Sequence, residues 1–177
     1  METMEAIRTR RSIRHYRLDP VPLKLLEKLV EAGRWAPTGA DRQYWRFIVV
    51  DDPKIMKMVR RVSPMMWDDA PAAVFACFDL SRSSLGKDTG KASGECSGFP
   101  SQNILLAAHA LGLGACAIGG FNRQAIRKIL SVPEDMAPLL LITVGYPDEE
   151  PVARPRRPWS DVAYLNTCAE KWVRDDE

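Results

Sequence analysis

Three arginines stand within five residues in Arg10-Arg11-Ser12-Ile13-Arg14. Guanidinium forks match phosphate oxygens two at a time, and a serine hydroxyl adds a neutral donor. Crowded in this way, the cations repel one another unless an anion joins them. The alternative is a solvated basic edge. A second cluster, Arg154-Pro155-Arg156-Arg157-Pro158, lies near the other end of the chain. Its prolines stiffen the segment and hold the cations at low entropic cost. Two such clusters can converge on one phosphate, within a chain or between two chains.

Two further stretches offer backbone groups. Ala36-Pro37-Thr38-Gly39-Ala40-Asp41 leads through Arg42, Gln43 and Tyr44 to Trp45, with a hydroxyl and an amide on the way. In Ile118-Gly119-Gly120-Phe121 the paired glycines let backbone approach a flat ligand closely. Neither is a G-x-G-x-x-G fingerprint, and Gly112-Leu113-Gly114 lacks its third glycine. The only histidines are His15 and His109, without a nucleophile motif, so no hydrolytic triad is assembled. His109 reads as a satisfied core histidine, whereas His15 stands beside the arginines and can titrate. Cys77, Cys96, Cys116 and Cys168 form no C-x-x-C pair, which argues against a metal centre and for buried free thiols. Enzymatic chemistry would then belong to a bound cofactor.

The elements that position these groups belong to one domain of 177 residues, 46% hydrophobic and 27% charged. A net charge of +2, from 25 basic and 23 acidic residues, argues against a surface built for nucleic acid. Met1-Glu2-Thr3-Met4-Glu5 is acidic rather than an apolar leader, so a cytoplasmic location is expected. The apolar run from Ile104 to Phe121 is interrupted by His109 and four glycines, and reads as a buried helix and a strand rather than a membrane span.

Helical spacing predicts helices over 3–9, from Leu25 to Ala36, over 54–62, over 101–113 and from Asn122 to Leu130. Strands are predicted over 45–50, 72–78, 115–118 and 139–144. Residues 79–98, rich in Ser, Gly and Lys, read as a long loop or lid. Beyond Pro147 the chain is proline-rich and extended, with a partly helical stretch over 160–172. Helices and strands without strict alternation indicate an α+β fold. The arm has few ways to bury itself, which suggests packing on a second copy.

Taken in order, these motifs resemble the nitroreductase family of FMN-dependent oxidoreductases. The likeness rests on Arg10-Arg11-Ser12-Ile13-Arg14, on Ala36-Pro37-Thr38-Gly39 with Gln43 and Trp45, and on Asp69-Ala70-Pro71. It continues through the helix from Gln102 to Gly114, the strand Leu141-Ile142-Thr143-Val144-Gly145-Tyr146-Pro147, and the arginine cluster at 154–157. Each motif is weak alone, but together they span nearly the whole chain.

The resemblance implies a mainly antiparallel sheet flanked by helices, with a core over 1–147. It implies a homodimer whose C-terminal arm, 148–177, is exchanged and whose two FMN sites lie at the interface. Arg10, Arg11, Ser12 and Arg14 would hold phosphate, ribityl chain and pyrimidine edge, and Arg154 and Arg156 would close on the phosphate. Pro37, Thr38, Gly39 and Asp41 would reach the partner's flavin, with Ile118, Gly119 and Gly120 along the ring. The implied activity is ping-pong transfer of hydride from NADH or NADPH through FMN to a nitroaromatic, quinone or similar small-molecule acceptor. The alternatives are reductive dehalogenation, oxygen-dependent flavin chemistry and non-catalytic flavin storage. Three positions depart from the family pattern: Asp41 replaces a common asparagine, Tyr44 a common proline, and Gly119 a larger or acidic residue of some subgroups.

Overall fold

In the computed structural model, which describes residues 1–82 and 89–173 (89–96 by backbone alone), the centre is one strand buried on both faces. This strand, β3 (Ala72–Asp79), alternates its side chains between two cores. Ala73, Phe75 and Cys77 face one cluster, and Ala72 and Val74 face the other. On the first face pack α3 (Pro53–Arg61) through Met56 and Val59, and α5 (Arg123–Ile129) through Ile126. On the second pack α2 (Leu23–Arg34) through Leu26 and Leu29, and α4 (Thr89–Ala110) through Ile104, Leu105 and Ala108. The result is three layers. Gly33 lets α2 lie close, since a Cβ there would stand 2.9 Å from Phe47 and 3.0 Å from Ile104.

β3 pairs antiparallel with β2 (Trp45–Val50) on one edge and with β5 (Met136–Pro147) on the other. β5 in turn carries β4 (Gly114–Ile118) along Leu141–Gly145 and the short β1 (Tyr16–Arg17) against Tyr146 and Pro147, both antiparallel. The remaining helix, α1 (Thr3–Thr9), is opened by a Glu2–Glu5 capping box. This is the α+β, antiparallel architecture expected from the sequence.

Two expectations are corrected and a third is met in part. The predicted loop 79–98 is helical from Thr89 onward, and only 83–88 lies outside the described residues. Burial of the apolar half of α4 against α2 and the sheet overrides the weak helix propensity of its Gly- and Ser-rich first half. The partly helical stretch expected over 160–172 is a short 3₁₀ turn, Trp159–Asp161, followed by an antiparallel bridge Tyr164–Lys171. Cys77 and Cys116 are buried free thiols, but Cys168 is exposed on this chain.

Candidate functional site

The Arg10–Arg14 segment is a strap laid along the outer edge of β4. Ser12 bridges Ala115 in parallel sense, and the Ile13 N–H donates to the Ala115 carbonyl at 3.1 Å. Gly114 makes this approach possible, because a Cβ there would stand 2.7 Å from Ile13 Cγ2. From the core side, the buried Tyr16 hydroxyl donates to the Ile13 carbonyl and lies 2.8 Å from Thr143 Oγ1. Burial pushes the Tyr16 phenol far above its ordinary range, so it stays a neutral donor. Arg11 caps α1, its Nη1 donating to the carbonyls of Arg8 (2.7 Å) and Arg10 (2.9 Å).

Both arginine clusters meet in one cavity of about 460 Å³, within a single chain. Its walls are Arg10, Arg11, Ser12 and Arg14 from the strap, Pro151, Val152, Arg154 and Arg156 from the C-terminal segment, and Trp67. Among the described residues, no carboxylate stands within ion-pair distance of these five arginines. Arg10 is half-buried, and its Nε is buried with no hydrogen-bond partner. Burial, then Arg11, then Arg156 push its pKa down from the ordinary value. An unpaired buried donor on a cation costs about 1–3 kcal/mol or more. A phosphate dianion would supply the missing acceptors and charge, so the residues fit a phosphorylated ligand. Arg157, by contrast, turns away and donates to the Asp161 carbonyl at 3.1 Å.

The other candidate residues are placed less uniformly. Ile118 is buried beside a narrow gap shared with Arg14, Met65, Trp67, Cys116 and Thr143. A Cβ on Gly120 would lie 2.5 Å from Met65 Cγ, so that glycine is required by the chain's own packing. Gly119 has only Leu140 Cδ1 nearby, at 3.9 Å, and is the open member of the pair. Thr38, Gly39 and Asp41 form a tight turn after Pro37. Ala40, Asp41 and Gln43 are all left-handed there, with φ of 51°, 49° and 50°. Each such L residue costs roughly 1–2 kcal/mol. Partial compensation comes from Gln43, whose N–H donates to Thr38 Oγ1 (3.2 Å) and whose Nε2 donates to Asp41 Oδ1 (2.9 Å). Asp41 lines a separate cavity with Arg34, Trp35, Ala36, Gln43 and Trp45, not the arginine cavity.

Sequence reasoning missed Trp67, Glu149 and the partner of His15. The Trp67 ring lies 4.9 Å from the Arg14 guanidinium carbon, a cation–π contact at the cavity wall. No spacing rule links residues 14 and 67; only the fold joins them. His15 Nδ1 pairs with Asp68 Oδ2 at 3.0 Å, on the surface. The hydrogen bond to Asp68 raises the His15 pKa above 6.5, and the same bond holds Asp68 below 3.8. Whatever stability the pair adds is therefore present between these ordinary values. It fades as pH rises through the raised His15 pKa, or falls through the lowered Asp68 pKa. An NMR titration of His15 is expected to give a midpoint above 6.5, dropping in Asp68→Asn. An unchanged midpoint in the variant contradicts the pairing. His109 is half-buried and satisfied, with Nε2 2.7 Å from Thr9 Oγ1.

Among the described residues, no cluster of metal-ligating side chains occurs and no helix is long and apolar enough to cross a membrane. The model of the Nitroreductase family matches the chain over residues 7–95 and 66–146. A Methanothermobacter thermautotrophicus protein, provisionally named NADH dehydrogenase/NAD(P)H nitroreductase, is 42% identical over 160 residues, covering 87% of this chain and 82% of its own. The solved NADPH:FMN oxidoreductase of Vibrio harveyi, complexed with NAD+, superposes with a TM-score of 0.81 at 26% identity, covering 98% of this chain and 80% of its own. The FMN-dependent nitroreductase of Clostridium difficile R20291 gives 0.78 at 26% identity, covering 93% and 99%.

Proposed function

The chain belongs to the nitroreductase family and is an oxidoreductase, and on that premise we propose that it holds FMN and transfers hydride from NADH or NADPH to a nitroaromatic, quinone or similar small-molecule acceptor by a ping-pong mechanism. The observation that carries the cofactor assignment is the arginine cavity, with its uncompensated cations and the orphaned Arg10 Nε. Solved relatives named as FMN enzymes support the same reading. Held by the residues of this cavity, FMN would supply the two-electron redox chemistry of hydride transfer.

The chain's own residues do the rest. Arg10, Arg14, Arg154 and Arg156 bind the phosphate, with Ser12 as neutral donor and Arg11 tied to the end of α1. Tyr16 fixes the strap from below. Gly119 leaves uncrowded space for the ring beside the buried Ile118, and Gly120 admits Met65. No side chain of the cavity is poised as a general acid or base, which suits hydride chemistry with protons from water.

A homodimer and a cytoplasmic location complete the reading. The segment from Asp148 onward, proposed as an arm on the partner over a 1–147 core, leaves Val152, Val162, Leu165 and Val173 exposed on its own chain. In the dimer, Pro37, Thr38, Gly39 and Asp41 of one copy would reach the flavin of the other. The buried free thiols of Cys77 and Cys116 suit a reducing compartment.

The deciding experiment is the absorption spectrum of the purified protein with FMN, followed by anaerobic additions of NADH and NADPH. Flavin bands that bleach with either donor are expected. Bands that persist with both overturn the reductase reading in favour of flavin storage, and no retained flavin removes the cofactor assignment.

A further inference from the structure

We propose that Glu149 is a positioning residue that sets the distance between the two arginine clusters, and thereby the preference of the site for a phosphorylated flavin; this rests on the FMN reading above. One carboxylate oxygen, Oε1, accepts the N–H groups of both Arg14 and His15, the latter at 3.0 Å. The neighbouring Asp148 N–H donates to the His15 carbonyl at 3.0 Å. Backbone N–H groups on successive residues that point to one side form a small anion nest, and a carboxylate is their strongest side-chain acceptor. The strap is therefore tied to the chain that runs on into Arg154 and Arg156.

The pairing of β1 with β5 brings the strap and the start of this segment together, but residues 148–158 contain no helix or strand, so beyond Pro147 the tie falls to the Asp148 and Glu149 contacts. Glu149 itself lines a neighbouring cavity with Arg11, His109 and Pro147, and not the arginine cavity. The two cavities share Arg10, Arg11 and Pro151 as walls, and Glu149 acts through the Arg14 and His15 backbone that it clasps. Loss of the clasp would let Arg14 and Arg154 drift apart while leaving the ring surface at Ile118 and Gly119 intact.

Riboflavin carries the same ring without the phosphate, so the ratio of FMN to riboflavin affinity isolates the phosphate subsite. Both affinities are measured by fluorescence titration of the full-length apo-protein. Glu149→Ala is expected to lower the ratio about tenfold while riboflavin affinity stays within about threefold of wild type. Glu149→Gln keeps an acceptor oxygen at the same reach and is expected to retain the ratio within about threefold. Glu149→Asp keeps the charge but falls one methylene short. It is expected to lower the ratio by about threefold or more, and it carries the test if the alanine variant does not fold.

An unchanged ratio in the alanine and aspartate variants overturns the proposal. So does a parallel loss of both flavins, or a glutamine variant as impaired as alanine. A wild-type protein that binds neither flavin overturns the FMN reading itself, and the two failures are thereby distinguished.

Discussion

Arg10→Ala is expected to weaken FMN binding by roughly 10- to 150-fold, the equivalent of about 1.5–3 kcal/mol for a hydrogen bond to a charged group. Arg156→Ala is expected to do the same, because Arg156 shares the cavity and is one of the three causes that depress the Arg10 pKa. The apo-protein should respond in the opposite sense. Without an anion, Arg10 is a half-buried cation whose Nε has no partner and whose neighbours are cations. Truncating it removes an uncompensated charge, so the apo melting temperature should hold or rise while the FMN-dependent increment in melting temperature shrinks. Fluorescence titration and paired thermal melts with and without FMN check both halves. The double variant should show less than the summed loss, since both residues engage one anion and repel each other in its absence. Unchanged affinity in both single variants would falsify the phosphate assignment.

That crossing of signs follows from chemistry visible in the sequence and geometry that is not. Arginine type and crowding announce an anion site from residues 10–14 and 154–157 alone. Their convergence is set by strands: β1 and β4 both pair with β5, which brings the strap and the start of the C-terminal segment to one edge of the sheet. A continuous apolar run similarly exposed the central strand over 72–78, and helical spacing the helices that flank it, because burial on both faces of a strand or on one face of a helix leaves a local pattern. The first half of α4 left no such pattern, being Gly- and Ser-rich, and is held helical by a tertiary contact farther along the same helix. Gly120 illustrates the opposite failure. A glycine pair suggests room for a ligand, yet here one glycine makes room for Met65, a residue more than fifty positions away in sequence. Trp67 and Glu149 stayed hidden for the same reason, since each acts through a contact between distant segments.

Removal of residues 148–177 is the harsher test of how the two ends cooperate. It takes away Arg154, Arg156 and Glu149 together, so FMN affinity is expected to fall by about a hundredfold or more. The fold should survive. Both core clusters draw on residues no later than Tyr146, and the sheet closes at Pro147. Far-UV circular dichroism of the truncate should therefore match the full chain apart from the lost arm. The oligomeric state should not match. Within one chain the arm makes mostly local contacts, such as the Trp159–Trp172 edge-to-face pair and the Asp161–Lys171 ion pair at 3.8 Å. It leaves Val152 89% and Val173 67% exposed. Apolar groups spread along an extended segment gain burial only from another surface, and a second copy is the surface the family reading supplies. Light scattering of the truncate is accordingly expected to report a shift toward monomer. A truncate that remains fully dimeric and FMN-loaded would show that neither the phosphate site nor the dimer depends on the arm. The two functions are separable in one further variant, Arg154→Ala with Arg156→Ala in the full chain. It should lose FMN affinity as the truncate does, yet remain dimeric, because it keeps the arm's apolar side chains and removes only the charges that face the cavity.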